Sequence, residues 1–258
     1  MKQFTLLAAV LCILGAQAAP DRTPRIINGH TAPHQPYNAY VLYLNAQNAG
    51  FFGGGSIISD RHVLTAAQNI VGFVRWDIGF GTNVFVHLNM LTSTVATAHP
   101  QYAAATRLND IGIITLPASL VFTSTVSPIA LPALNAQPAN QHPFENEQGA
   151  IVGFGFVNAA STGRSDFLMR SFQRVTSNVR CQQFFQITLP QHFCAEDAVE
   201  ISNVCNGDLG AGFVTDVRGR PTVTGVASLI SQSCGNTSPS GYTRVEFYRQ
   251  WIQSVTQV

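Results

Sequence analysis

Few side chains in this sequence could start a reaction, and those few are scattered. Its seven histidines are His30, His34, His62, His87, His99, His142 and His192, and its five cysteines are Cys12, Cys181, Cys194, Cys205 and Cys234. A hydroxyl or thiol nucleophile needs a base beside it, and a metal needs ligands at short, fixed spacings. His30, His34, His87, His99, His142 and His192 have no adjoining Ser or Cys motif, and no CxxC or close histidine pair has ligand spacing. Cys12 falls in an apolar leader. The other four form an even set that reads as two disulfides in an oxidising compartment, with three pairings open. No metal, cofactor or thiol nucleophile is therefore expected. Glu145 and Glu147 read as a small acidic spot on a solvated loop.

The chain around these residues has 258 positions, of which 46% are hydrophobic and only 10% charged. That balance favours a packed body over long disorder. A net charge of +1, with Lys2 as the sole lysine, excludes a nucleic-acid or anionic-membrane partner held by bulk electrostatics. Lys2, the apolar run Phe4 to Gly15 and the small residues of Ala16-Gln17-Ala18 read as a secretory signal at 1–18. The run is too short to span a bilayer.

Short strand-like runs follow, separated by turn signals: 40–44, 55–58, 110–114, 150–154, 222–226 and 241–245. Their spacing predicts an all-β barrel or sandwich. Pro117 to Pro143 holds five prolines and reads as a connector between two halves. Val245, Tyr248, Trp251, Ile252 and Val255 fall at helical spacing and predict a C-terminal helix with one apolar stripe.

Several short motifs stand in a fixed order along this frame. They are Arg25-Ile26-Ile27-Asn28-Gly29, Gly53-Gly54-Gly55-Ser56-Ile57-Ile58, Val63-Leu64-Thr65-Ala66-Ala67, Asn109-Asp110-Ile111, Cys205-Asn206-Gly207-Asp208 and Tyr242-Thr243-Arg244-Val245. Together the series resembles the chymotrypsin-like (trypsin-family) serine peptidases over roughly 26–256. The resemblance implies two packed six-stranded antiparallel β-barrels with a C-terminal α-helix and a cleft between the barrels. It also implies a propeptide at 19–25, a peptidase domain at 26–258, and the disulfides Cys181–Cys194 and Cys205–Cys234.

The family's chemistry uses a Ser hydroxyl, a His base and a buried Asp. Here the positions implied for His, Asp and Ser hold Gln68, Asp110 and Leu209. Leu209 offers no nucleophilic atom, Gln68 does not titrate near neutral pH, and His62, six positions before Gln68 on a strand, would not reach the cleft. Loss of the nucleophile or the base alone costs about 10⁶ in turnover in the subtilisin case. The Gln68 amide can instead donate to Asp110, and Leu209 can fill the space beside it. Gly53 and Asn69 stand where the family has a disulfide pair. The oxyanion-hole positions would be Gly207 and Leu209, and the specificity pocket would be lined by Asn203, Ser228, Leu229, Ile230 and Ser240. Ile230 and Ser240 should narrow that entrance. The stretches Gly72–Gly81 and Ser161–Asp166 read as groove-lining loops.

Activation would cut after Arg25 and pair the freed Ile26 amine with Asp208. Asn236-Thr237-Ser238 is a glycosylation sequon, so Asn236 is a candidate site. The function expected is a secreted, extracellular, non-catalytic peptidase homologue that binds an unidentified protein partner, such as a peptidase or an inhibitor. It is expected to be monomeric and to engage neither nucleic acid nor membrane. An active secreted endopeptidase is the alternative, against which Gln68 and Leu209 speak. A digestive-tract protein, whose mature chain without lysine lacks half of the residue types that trypsin cuts after, is a third.

Overall fold

The computed structural model describes residues 29–134, 142–156, 163–186, 190–197, 199, 201–230, 234 and 237–258. The signal, Arg25, Ile26 and Asn236 lie outside the described residues. Strand β1 (His30–Thr31) leads into a first sheet built from β2 (Asn38–Leu44), β3 (Gly50–Ile57), β4 (His62–Thr65), β5 (Arg75–Phe80), β6 (Asn89–Ser93), β7 (Val95–Ala98) and β8 (Gly112–Thr115). Its order is β6-β5-β2-β3-β4-β8-β7. β6 and β7 are separated by Thr94 alone, so they act as one bent strand that pairs β5 with its first half and β8 with its second. Counted this way, the first barrel has six strands.

The second sheet uses β9 (Gln148–Gly153), β10 (Met169–Val175), β11 (His192–Glu196), β12 (Gly212–Val217), β13 (Arg220–Leu229) and β14 (Ser240–Arg244). It runs β1-β10-β11-β14-β13-β12-β9, and a β9–β10 pairing closes the ring. Those six strands plus the two-residue β1 make the second barrel. The paired ladders are all antiparallel, as hairpin connections permit.

Each barrel has its own core. Val41, Trp76, Ile78 and Ile114 fill the first, while Phe193, Phe213 and Tyr242 fill the second. A third cluster joins the two: Leu64, Ile111 and Ile113 of the first half meet Val223, Val226, Val245, Tyr248 and Ile252 of the second. The last three sit on a 3₁₀ turn at Val245–Tyr248 and helix α2 (Arg249–Thr256), whose apolar stripe therefore bolts the barrels together.

Two features depart from the sequence reading. Gly72–Gly81 is not a loop, because β5 occupies most of it and buries Trp76 and Ile78. A short helix, α1 (Asn178–Phe185), also forms where no periodicity announces it. The Ser177 side chain caps it by accepting from the Arg180 N–H at 3.3 Å, and only Cys181 of the helix is buried.

Candidate active-site cleft

Three segments from both barrels converge on Asp110. Gln68 lies in a single 3₁₀ turn (Ala67–Asn69) directly after β4, Asp110 immediately precedes β8, and Ser228 comes near the end of β13. Asp110 is fully buried. Its Oδ1 accepts from the Gln68 backbone N–H at 2.8 Å. Its Oδ2 accepts from Gln68 Nε2 and from Ser228 Oγ, both at 2.6 Å. Its backbone carbonyl accepts from Thr243 Oγ1 at 2.9 Å. Burial pushes the Asp110 carboxyl above the usual carboxylate range, while the bonds from Ser228 and Gln68 and the more distant Arg107 pull it back.

The Gln68 amide spends both of its hydrogens here, the second going to the Ser228 carbonyl at 2.9 Å. The reverse amide orientation would set an oxygen against the carboxylate, so the donor assignment is fixed by charge. An amide of this kind holds the acid in place but has no basic nitrogen to accept a proton.

Leu209 sits at the head of the turn before β12. Its carbonyl accepts from the Gly54 N–H at 2.9 Å and from Asn69 Nδ2 at 2.8 Å. Gly207 and Gly210, both at φ +91°, allow this turn. The N–H of Gly210 goes to the Ala227 carbonyl and that of Ala211 to Asp208. The N–H groups of Gly207 and Leu209 donate to no described residue, and both residues are partly exposed.

Asn69 plays a part that the sequence reading missed. Besides holding Leu209, its Nδ2 donates to Thr65 Oγ1 at 3.1 Å, and Thr65 passes a bond on to the Gly54 carbonyl at 2.8 Å. Gly53 faces this amide: a Cβ placed on it would lie 2.8 Å from Asn69 Nδ2 and closer still to the Leu209 carbonyl. The two positions thus meet through an amide rather than a disulfide. Gly53→Ala is expected to destabilise the protein by about 1–3 kcal/mol, because the obstruction is backbone and cannot swing away. Urea unfolding measures this, and an unchanged midpoint would contradict it.

The positions implied for the specificity pocket are engaged in the second barrel. Ser240 is buried, and its Oγ accepts from the Val204 N–H at 3.1 Å. Ile230 packs on the cluster of Phe213, Ala227 and Tyr242, and Leu229 packs on the Cys181–Cys194 disulfide. Asn203 is buried, with Nδ2 directed to the Ser238 carbonyl at 3.4 Å. The second disulfide joins Cys205 to Cys234.

Asp208 is buried beside this pocket and accepts from the N–H groups of Gly155 at 2.9 Å and Cys205 at 3.1 Å. No cationic side chain among the described residues pairs with it. Burial lifts its pKa to about 7 against the two backbone bonds.

Most of the histidines are engaged elsewhere. His62 bonds Ser59 at 2.9 Å in the β3–β4 hairpin turn, a hydroxyl neighbour that the sequence reading did not credit, while His34 and His192 reach the carbonyls of Thr125 and Arg107. His99 stacks on Tyr248 and Trp251, and His142 pairs with Glu147 at 2.8 Å. Glu147 is thus committed, whereas Glu145 stays exposed.

Known proteins share this architecture. The trypsin family profile matches residues 26–252. A chymotrypsin of Phaedon cochleariae is 31% identical over 92% of this chain and 84% of its own length. An inactive CLIP domain-containing serine protease of Anopheles gambiae is 25% identical over 83% of this chain and 61% of its own. The solved structure of HL collagenase superposes with a TM-score of 0.79 at 28% identity, covering 90% of this chain and 99% of that one. A cleft bounded by two six-stranded barrels, a profile match over most of the chain and relatives at this similarity lead to one assignment: the chain belongs to the trypsin family of chymotrypsin-like serine peptidases.

Proposed function

We propose that this chain is a secreted, non-catalytic member of the trypsin family that acts by binding another extracellular protein. The observation that carries the reading is the bonding of Gln68. At the position implied for the catalytic base, its amide donates both hydrogens, to Asp110 and to the Ser228 carbonyl. Leu209 supplies no hydroxyl at the position implied for the nucleophile. Gln68 and Asp110 then form a satisfied structural unit in place of a proton relay, and Leu209 is tied to them indirectly, through Asn69, the neighbour of Gln68. Asp110 keeps its acceptors filled, as a buried carboxylate must. The packing of Ile230 and the bonded Ser240 support a specificity pocket too full for a substrate side chain. That a relative of Anopheles gambiae is itself named inactive supports the reading.

On this reading residues 1–18 are removed on secretion and 19–25 form a propeptide. A cut between Arg25 and Ile26 frees an α-ammonium for Asp208, which tightens the fold without creating activity. The purified protein, cut with trypsin and re-purified, is expected not to react with a fluorophosphonate probe. Covalent label mapped to the cleft would overturn the reading in favour of an active endopeptidase.

A further inference from the structure

The outer face of the second barrel carries a groove that the cleft does not use. On β10, Met169, Ser171, Gln173 and Val175 turn inward, and Arg170, Phe172 and Arg174 turn out. In register, Phe172 lies opposite Ala150, and Ala150 lies opposite Val214, so an apolar row crosses three strands. Two cavities of about 920 and 490 Å³ flank this row and share Arg170 and Phe172 as a common wall. Phe172 is 56% exposed. A large aromatic left open at one end of an apolar row is the kind of feature that marks a contact surface.

Around the row Arg170, Arg174, Arg180 and Arg220 stand against the acids Glu145, Glu196 and Asp197, a balance of one positive charge. The Arg170 guanidinium is stacked on the Phe172 ring at 4.3 Å, which holds it in place. Its Nε is shielded and unpartnered, and its two Nη groups bond no described residue. Arg174 and Arg220 are exposed and form no ion pair among the described residues. Of the groove's acids, Glu196 is paired with Arg180 at 2.8 Å and Asp197 accepts from Ser202 Oγ at 2.5 Å, while Glu145 is exposed. A preset, unpaired guanidinium beside an apolar strip fits a planar carboxylate flanked by apolar side chains.

We propose that this groove docks an extended acidic and apolar segment of a partner protein. A carboxylate of the segment binds the Nη groups of Arg170, and its neighbouring aliphatic or aromatic side chains cover Phe172, Ala150 and Val214. A second copy of this chain is a poor occupant, because its acids are few and no dense acidic run occurs in its sequence. The inference stands on the groove alone and holds whatever the chemistry of the cleft, since probe binding and fluorophosphonate reactivity are read separately.

The test is fluorescence anisotropy on the purified full-length protein, with a fluorescein-labelled peptide Leu-Asp-Phe-Glu-Leu-Asp and its counterpart carrying Asn and Gln in place of the acids. The acidic probe is expected to bind saturably, and the acid-free peptide about tenfold more weakly. Arg170→Gln and Phe172→Ala should each weaken the acidic probe by about tenfold. Arg174→Glu, at an exposed position, serves as the reading if either of those variants lowers the melting temperature, and it should weaken binding too. Absence of saturable binding up to about 1 mM, equal affinity for the acid-free peptide, or indifference to all three variants would overturn the proposal. So would a concentration-dependent dimer in sedimentation that Phe172→Ala abolishes, which would make the occupant a second copy.

Discussion

A Gln68→His, Leu209→Ser double variant is expected to react with a small alkyl fluorophosphonate about a thousandfold faster than the native protein. Everything around the two positions is already arranged for it. The Gln68 backbone N–H and Ser228 Oγ fix the Asp110 carboxylate, and an imidazole at 68 would offer its Nδ1–H to the Oδ2 that Gln68 Nε2 now bonds. The Leu209 carbonyl is pinned from two sides by Gly54 and Asn69, so a hydroxyl introduced there starts from an ordered turn. The N–H groups of Gly207 and Leu209 donate to no described residue, which leaves two donors for a developing oxyanion. A small probe needs no specificity pocket, so Ile230 and Ser240 do not obstruct it.

Each single variant should stay near the native rate. A serine without a base is a poor nucleophile, and a base without a nucleophile does nothing, so the two effects are strongly non-additive. The measurement is labelling rate by intact-mass spectrometry, with thermal melts as the control for folding. A folded double variant that remains unlabelled would mean that residues 68 and 209 are not the missing members of a relay. On the proposed reading, peptide substrates should remain poor even for the double variant, because Ile230 and Ser240 narrow the entrance for a side chain.

Much of this cleft is readable from local motifs, because the residues at 68, 110 and 209 each sit inside a short run of ordered neighbours. The barrels are readable for the same reason, since turn signals punctuate short alternating strands. What escapes is long-range. The role of Asn69 depends on Leu209, 140 positions away, and on a missing Cβ at Gly53, and no local pattern encodes either. β5 is hidden because it carries Asp77 between Trp76 and Ile78, and that acid is tolerated only because Arg75 and Thr92 bond it. β10 reads backwards: its inward residues include Ser171 and Gln173, its outward ones Phe172. The polar pair is satisfied inside by Ser202 and by the Tyr242 hydroxyl, so the usual apolar-in pattern fails and the groove on its outer face goes unseen.

The uncut chain is expected to lose stability as pH rises from about 4 to 7, and cleavage after Arg25 should reverse that trend. Asp208 is raised from 3.8 to about 7 by burial. Over that window the folded state holds a proton that the unfolded chain has released. Stability is therefore fully present below the unfolded pKa and falls as pH climbs to the folded one, by about 4 kcal/mol from this group alone. Asp110, also raised, acts in the same direction. Cleavage changes the sign because an Ile26 α-ammonium, with an ordinary pKa of about 7.7–8.0, favours the ionised Asp208. The pair then adds stability from mildly acidic to neutral pH and loses it where the amine discharges. Urea unfolding between pH 4 and 8 separates the cases, with an Arg25→Gln chain as the uncut form, trypsin-treated native protein as the cut form, and N-terminal sequencing to verify Ile26 as the first residue. The carboxylates after residue 25 are common to both forms, so the difference between the two curves reports on the pair of Asp208 with the new amine. Asp208→Asn in the uncut chain should flatten its slope. Parallel curves for cut and uncut protein would mean that the amine never reaches Asp208, and the activation device would then be absent from this chain.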